Sequence, residues 1–121
     1  MPTRILVVED DLLNRMFYCE VLRREGFETA EVGDGARAMS RAHDFHPHLV
    51  IMDINLPNVS GISLIEQMQA DADLKEVPVL AVTAYVGREE ERRIREAGAR
   101  EYLSKPVTIG KLVGAIDRLL S

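Results

Sequence analysis

A single cysteine, Cys19, occurs in the 121 residues, so no disulfide can form within the chain. It lies among apolar residues at helical spacing and reads as a small hydrophobe with no redox role. No apolar run approaches the roughly 20 residues that a membrane-spanning helix requires, so the chain is expected neither to cross nor to anchor in a bilayer. Its start, Met1-Pro2-Thr3-Arg4, lacks the basic segment, apolar middle and small-residue cleavage site of a secretory signal, and a cytoplasmic location follows by default. Basic residues are outnumbered, 15 against 20 acidic, for a net charge of −5. A protein that neutralises nucleic-acid phosphates carries the opposite surplus, which argues against DNA or RNA as a direct partner. A glycine-rich nucleotide loop is also missing, since Gly33-Asp34-Gly35 is better read as a turn.

What remains is the composition of an ordinary globular protein, 46% hydrophobic and 29% charged, with the length of one domain, residues 1–121. Arg4 to Val8 is a short apolar run rich in β-branched residues, a first buried strand that ends in Glu9, Asp10 and Asp11. Leu12 to Glu25 follows as a helix, stopped by Gly26. Glu28 to Val32 is a second strand, and Ala36 to about Phe45 has the content of a second helix. Leu49 to Met52 leads into Asp53, and Pro57 prevents the strand from running on. A third helix spans Gly61 to Ala70, with Ser60 placed to accept its first free N–H groups. Val77 to Ala84 is a fourth strand. Gly87 to Ala97 is a helix carrying many charges around few apolar anchors, so its grip on a sheet is weak. Arg100 to Ser104 is a fifth strand, followed by Lys105-Pro106. From Thr108, a helix cap, Ile109, Leu112, Val113, Ile116, Leu119 and Leu120 form one apolar stripe.

Five strands alternating with five helices predict an α/β fold: a doubly wound, five-stranded parallel sheet with helices on both faces, three layers in all. Ligands of such sheets bind outside the carboxyl ends of the strands. Glu9 and Asp10 follow the first strand, Asp53 ends the third, Thr83 ends the fourth and Lys105 follows the fifth. Three carboxylates and one ammonium sum to −2, and like charges about 4 Å apart cost roughly 4 kcal/mol per pair at an effective dielectric of 20. A dication relieves that repulsion. Mg²⁺, a hard ion that keeps open positions for phosphate oxygens, suits the oxygen-rich set best. With it, Asp53 becomes a nucleophile toward phosphorus, Lys105 offsetting the incoming charge.

These motifs, Val7-Val8-Glu9-Asp10, Met52-Asp53-Ile54-Asn55-Leu56-Pro57, Ser60-Gly61, Val82-Thr83-Ala84, Gly98-Ala99, Tyr102-Leu103 and Lys105-Pro106, cover the whole chain. Together they resemble the receiver domains of two-component response regulators. The resemblance implies the flavodoxin-like strand order 2-1-3-4-5. It implies that Asp53 is the phosphoacceptor, that Glu9, Asp10, Asp53 and the backbone carbonyl of Asn55 hold Mg²⁺, and that Lys105 contacts the phosphoryl group. Thr83 and Tyr102 would form a switch pair, and the peptide bond before Pro106 would be cis. Glu9-Asp10 followed by Asn14 looks like the single-domain DivK-type regulators and the receivers of hybrid kinases. The implied donor is a phosphohistidine of a sensor histidine kinase or phosphotransfer protein. The implied catalysis is limited to the chain's own phosphorylation and dephosphorylation.

Ser60 departs from the aspartate common in receivers, and Asp11 adds a third acid, read as solvated or one step removed from the ion. Tyr85 is bulkier than the groups of some fast-hydrolysing members; with Asn55 it is expected to set access of the hydrolytic water. With no output segment after residue 121, the signal is expected to leave by binding an unknown downstream protein or by passing the phosphoryl group on to a histidine phosphotransfer protein. The first helix is apolar on more sides than a core needs (Leu12, Leu13, Met16, Phe17, Tyr18, Cys19, Val21, Leu22), which suits a docking surface for a kinase or phosphotransfer bundle. A flavodoxin-like cofactor module shares the expected fold, but Glu9-Asp10-Asp11 would repel an FMN phosphate. A haloacid-dehalogenase phosphatase wants a second aspartate two residues after the first, and position 55 is Asn. His43, Asp44, His46 and His48 precede the third strand, away from the acidic edge, and are not read as a metal site.

Overall fold

The computed structural model describes residues 2–121. Five parallel strands, β1 (Arg4–Val8), β2 (Glu28–Val32), β3 (Leu49–Asp53), β4 (Val79–Thr83) and β5 (Glu101–Ser104), form one sheet in the order β2-β1-β3-β4-β5. The helices are α1 (Leu12–Arg24), α2 (Ala38–Phe45), α3 (Gly61–Ala70), α4 (Arg88–Ala97) and α5 (Ile109–Leu120). Fold class, strand order and element sequence are those expected.

Alternation along the strands divides the core in two. Leu6, Val8, Val50, Met52, Val79 and Ala81 face α2, α3 and α4, packing with Ala38, Leu64, Ile65, Met68 and Ile94. Ile5, Val7, Leu49, Ile51, Leu80 and Val82 face α1 and α5, packing with Tyr18, Leu22, Leu112 and Ile116. β3 and β4 are buried on both faces, as central strands of a parallel sheet are.

The helix starts follow local chemistry. Side chains of Asp11, Ser60 and Thr108 accept the N–H groups of Asn14, Ile62 and Lys111, satisfying donors that have no partner within the helix. Asp11, expected as a solvated third acid, is thus the cap of α1. The second helix begins differently from expectation: Asp34 takes the Ala36 N–H, and a 3-10 turn (Gly35–Arg37) precedes the α-helical residues. The fourth strand is shorter than its apolar run. Val77 donates to Leu74 O in a turn, and Ala84 N–H leaves the ladder for the Asn55 side chain. The apolar run extends beyond the strand because burial does not require ladder bonding. The Lys105-Pro106 bond is cis, as the resemblance implies.

Candidate functional site

The sheet ladder continues one bond past the strands at the edge where the acids lie. Glu9 N–H donates to Val32 O (3.0 Å), Ile54 N–H to Val82 O (2.9 Å) and Lys105 N–H to Thr83 O (2.8 Å). Backbone pairing therefore aligns the residues following three different strands. Val8 pairs with Met52, so the next step along both strands sets Glu9 beside Asp53. Both continue the alternation that faces α1 and α5.

Gly61 makes this edge compact. A β-carbon there would collide with the Asp53 carbonyl oxygen and the Ile54 Cα. Only glycine lets the start of α3 press against the end of β3, where Gly61 N–H donates to Ile54 O (3.2 Å).

Asp53 is 2% exposed and Glu9 fully buried, while Asp10 is exposed. One carboxylate oxygen from each of the three acids falls within 4.8 Å of the others. Lys105 Nζ stands 3.3 Å from Glu9 Oε1 and 3.4 Å from Asp53 Oδ1, and Asn55 N–H donates to Asp53 Oδ1 (3.0 Å). Burial, then hydrogen bonding to Asp53 and its charge, push the Glu9 carboxyl up to about 7. Burial alone would lower the Lys105 ammonium, but the charges of Asp53 and Glu9 outweigh it and leave it raised.

A single ammonium does not satisfy this group. Glu9 Oε2 accepts from Asp11 N–H (3.2 Å), but among the described residues the buried Glu9 Oε1 finds only the Lys105 ammonium at 3.3 Å and no well-directed hydrogen bond. A buried carboxylate in that state is costly. An all-oxygen set with an unsatisfied buried member and an open side at Asp10 fits a hard dication.

The other expected residues surround this edge. Thr83 is fully buried, and its hydroxyl oxygen accepts from Tyr85 N–H (3.1 Å). Tyr102 and Thr83 lie on the sheet face opposite the acids, toward α4, and the Tyr102 ring packs beneath Arg95 (5.6 Å). Asn55 and Tyr85 line one open cleft of about 390 Å³ with Leu56, Ser60, Glu90 and Arg93. Two contacts were not anticipated. The Asn55 side chain accepts Ala84 N–H (2.9 Å), tying the loop after β3 to the loop after β4, and Arg15 reaches the main chain of the acid pair. The resemblance marks Asn55 for its carbonyl and for water access; nothing in an isolated asparagine signals a bond 29 residues away.

Cys19 is buried, and burial together with Glu31 pushes its thiol up to about 11, which keeps it unreactive. The three histidines are used separately. His48 Nδ1 accepts from Arg4 N–H, His46 closes α2 in a left-handed conformation, and His43 Nε2 lies 2.8 Å from Asp71 Oδ2. On α1, Tyr18, Cys19, Val21 and Leu22 enter the core, whereas Leu12, Leu13 and Met16 are exposed.

A parallel sheet in this order, with buried acids and a lysine at its carboxyl edge, defines a class. The chain belongs to the response regulator receiver domain family, whose model matches residues 5–117. It is 35% identical over 120 residues to the polar-differentiation response regulator DivK of Brucella ovis, covering 99% of this chain and 98% of that one. A putative response regulator from Chloroflexus aurantiacus superposes with a TM-score of 0.94 at 29% identity, over 99% of this chain and 98% of that one. The receiver domain of a sensor histidine kinase from Pseudomonas aeruginosa, also 29% identical, superposes with a TM-score of 0.90 over all of both chains. That neighbour has a magnesium ion coordinated in its active site cleft. Among the described residues no helix is long and apolar enough to cross a membrane.

Proposed function

We propose that the chain accepts a phosphoryl group on Asp53 from a phosphohistidine of a sensor kinase or phosphotransfer protein, and signals through altered protein binding. The observation that carries this is the buried Asp53 carboxylate, with Glu9 beside it and Lys105 Nζ at 3.4 Å. A carboxylate oxygen of Asp53 forms the new O–P bond as the P–N bond to the donor imidazole breaks, the electron pair staying on the imidazole. Glu9, Asp10, Asp53 and the Asn55 carbonyl would hold Mg²⁺, which when bound neutralises charge on the phosphoryl oxygens. Lys105 steadies the transferred group from the side it already occupies. The product is an acyl phosphate, which water later cleaves.

Phosphorylation takes Asp53 from −1 to about −2 and adds strong acceptors. The Thr83 hydroxyl, held by Tyr85 N–H in the unmodified chain, turns to donate to the new oxygens. The ring of Tyr102, on the same sheet face, follows into the space released. The surface of α4, β5 and α5 is thereby altered for a downstream protein, while exposed Leu12, Leu13 and Met16 on α1 offer a docking surface to the donor. Labelling by a phosphorylated histidine donor tests the acceptor: the wild-type chain is expected to take up label only with Mg²⁺, and Asp53→Asn not at all. Persistent labelling of Asp53→Asn would move the acceptor elsewhere. Charged substitutions at Leu13 and Met16 are expected to slow transfer; unchanged rates would remove α1 from the docking surface.

A further inference from the structure

The acid pair is held from behind by a side chain that no motif singled out. Arg15, in the first turns of α1, has a largely buried side chain, 17% exposed. Its Nη1 donates to the Glu9 carbonyl at 2.9 Å and approaches the Asp10 carbonyl at 3.5 Å, while Nε donates to Glu31 Oε1 at 3.1 Å. Gly33 leaves room for this guanidinium: a β-carbon at that position would collide with Arg15 Nη1. The Gly33 backbone is not in the left-handed region, so an alanine there would meet only the tip of the Arg15 side chain, which would have to shift.

We propose that Arg15 is a positioning residue for the acid pair. Its guanidinium holds the main-chain carbonyls of Glu9 and Asp10 so that both carboxylates meet a divalent cation together with Asp53. The proposal rests on reading Asp53 as a phosphoacceptor served by Mg²⁺. Three points then fix residues 9–11: Val32 O accepts from Glu9 N–H, Arg15 binds the carbonyls, and Asp11 caps α1 through Asn14 N–H. Glu31 gives the arrangement its selectivity. An uncompensated guanidinium this close would draw the acid side chains toward itself and compete with the cation. Paired with Glu31, its charge is offset, and its remaining donors serve the backbone. The carboxylates stay free for the metal. This is the role of groups that orient a ligand without touching the ion, whose loss weakens metal binding roughly 10- to 100-fold.

Isothermal titration of the full chain with MgCl₂ tests this, using Arg15→Met, which keeps the apolar stem and loses the donors. A second variant, Gly33→Ala, leaves α1 unchanged and displaces the guanidinium. Arg24→Met is the control, because among the described residues Arg24 pairs only with Glu20, on the exposed side of the same helix (3.0 Å). Mg²⁺ affinity is expected to fall roughly tenfold in Arg15→Met and Gly33→Ala and to stay at the wild-type value in Arg24→Met. Thermal midpoints without metal provide the second readout: a residue that only braced the fold would lower the midpoint and leave affinity untouched. A wild-type affinity in Arg15→Met overturns the proposal, as does a wild-type affinity in Gly33→Ala should Arg15→Met not fold. If the wild-type chain itself fails to bind Mg²⁺, the reading of Asp53 falls as well.

Discussion

Glu9 carries the most informative pH behaviour of any single residue. Its carboxyl is pushed up to about 7 from 4.5 by burial and by Asp53. Between those values the folded chain retains a proton that the unfolded chain has released. Without a divalent cation, the stabilising contribution is therefore complete below 4.5 and is lost as pH rises through about 7. A metal binds the deprotonated carboxylate and so displaces the proton. Thermal unfolding at pH 5 and pH 8 is expected to show a larger Mg²⁺-induced rise in midpoint at pH 8. An equal rise at both would contradict the role given to Glu9. Asn55 makes a separate contribution: removing its side-chain oxygen in Asn55→Ala leaves the exposed Ala84 N–H to water and unties the two loops, and is expected to cost about 0.5–1 kcal/mol in urea unfolding. Tyr85, 62% exposed on the rim of the same cleft, is expected to limit water access, so Tyr85→Ala should shorten the lifetime of the aspartyl phosphate. An unchanged lifetime would remove it from that role.

Among the elements, α4 has few buried anchors. Ile94 and Ala97 are its buried residues, and its exposed charges pair with each other, Glu89 with Arg92 and Glu91 with Arg95. Exposed pairs of that kind contribute little to stability. An element anchored this narrowly can shift without disturbing the core, which suits it to report the state of Thr83 and Tyr102 on the same face. Ile94→Ala is expected to cost about 2–5 kcal/mol, and hydrogen exchange should show the loss concentrated in α4. Uniform loss of protection across the sheet would contradict the weak anchoring. At the carboxyl end of β3, Gly61→Ala is expected to destabilise by about 1–3 kcal/mol, because the start of α3 must move away from Asp53. The helices were legible from apolar spacing and capping residues, with Ser60 and Thr108 marking two starts, whereas Asp11, read as a third acid, caps α1. The ends of β4 were not legible, because the apolar run Val77 to Ala84 reports burial, whereas the strand is defined by where Val77 and Ala84 send their N–H groups.

For the molecule as a whole, strand order turns scattered residues into a site. Glu9, Asp53, Thr83 and Lys105 are far apart in sequence, yet each follows or ends a parallel strand, and the ladder bonds past β1, β3 and β5 bring them to one edge. That much could be inferred from the chain, since strand ends are visible in apolar runs that stop at polar residues. What could not be inferred was the support: Arg15 behind the acid pair and Asn55 across to Ala84 are contacts between segments, with no local signature. The division of the edge also emerged only in three dimensions, with acids and lysine on the α1/α5 face and Thr83 with Tyr102 on the α4 face. It separates the place where chemistry occurs from the place where its outcome is read. The central claim is that Asp53 carries the phosphoryl group, and the most direct measurement is chemical mapping of the modified residue. After Mg²⁺-dependent transfer from a histidine donor, borohydride converts an acyl phosphate to an alcohol, so peptide mass spectrometry should find homoserine in place of Asp53. Homoserine at Asp10 or Asp11, or a label carried on a histidine of this chain, would contradict the account.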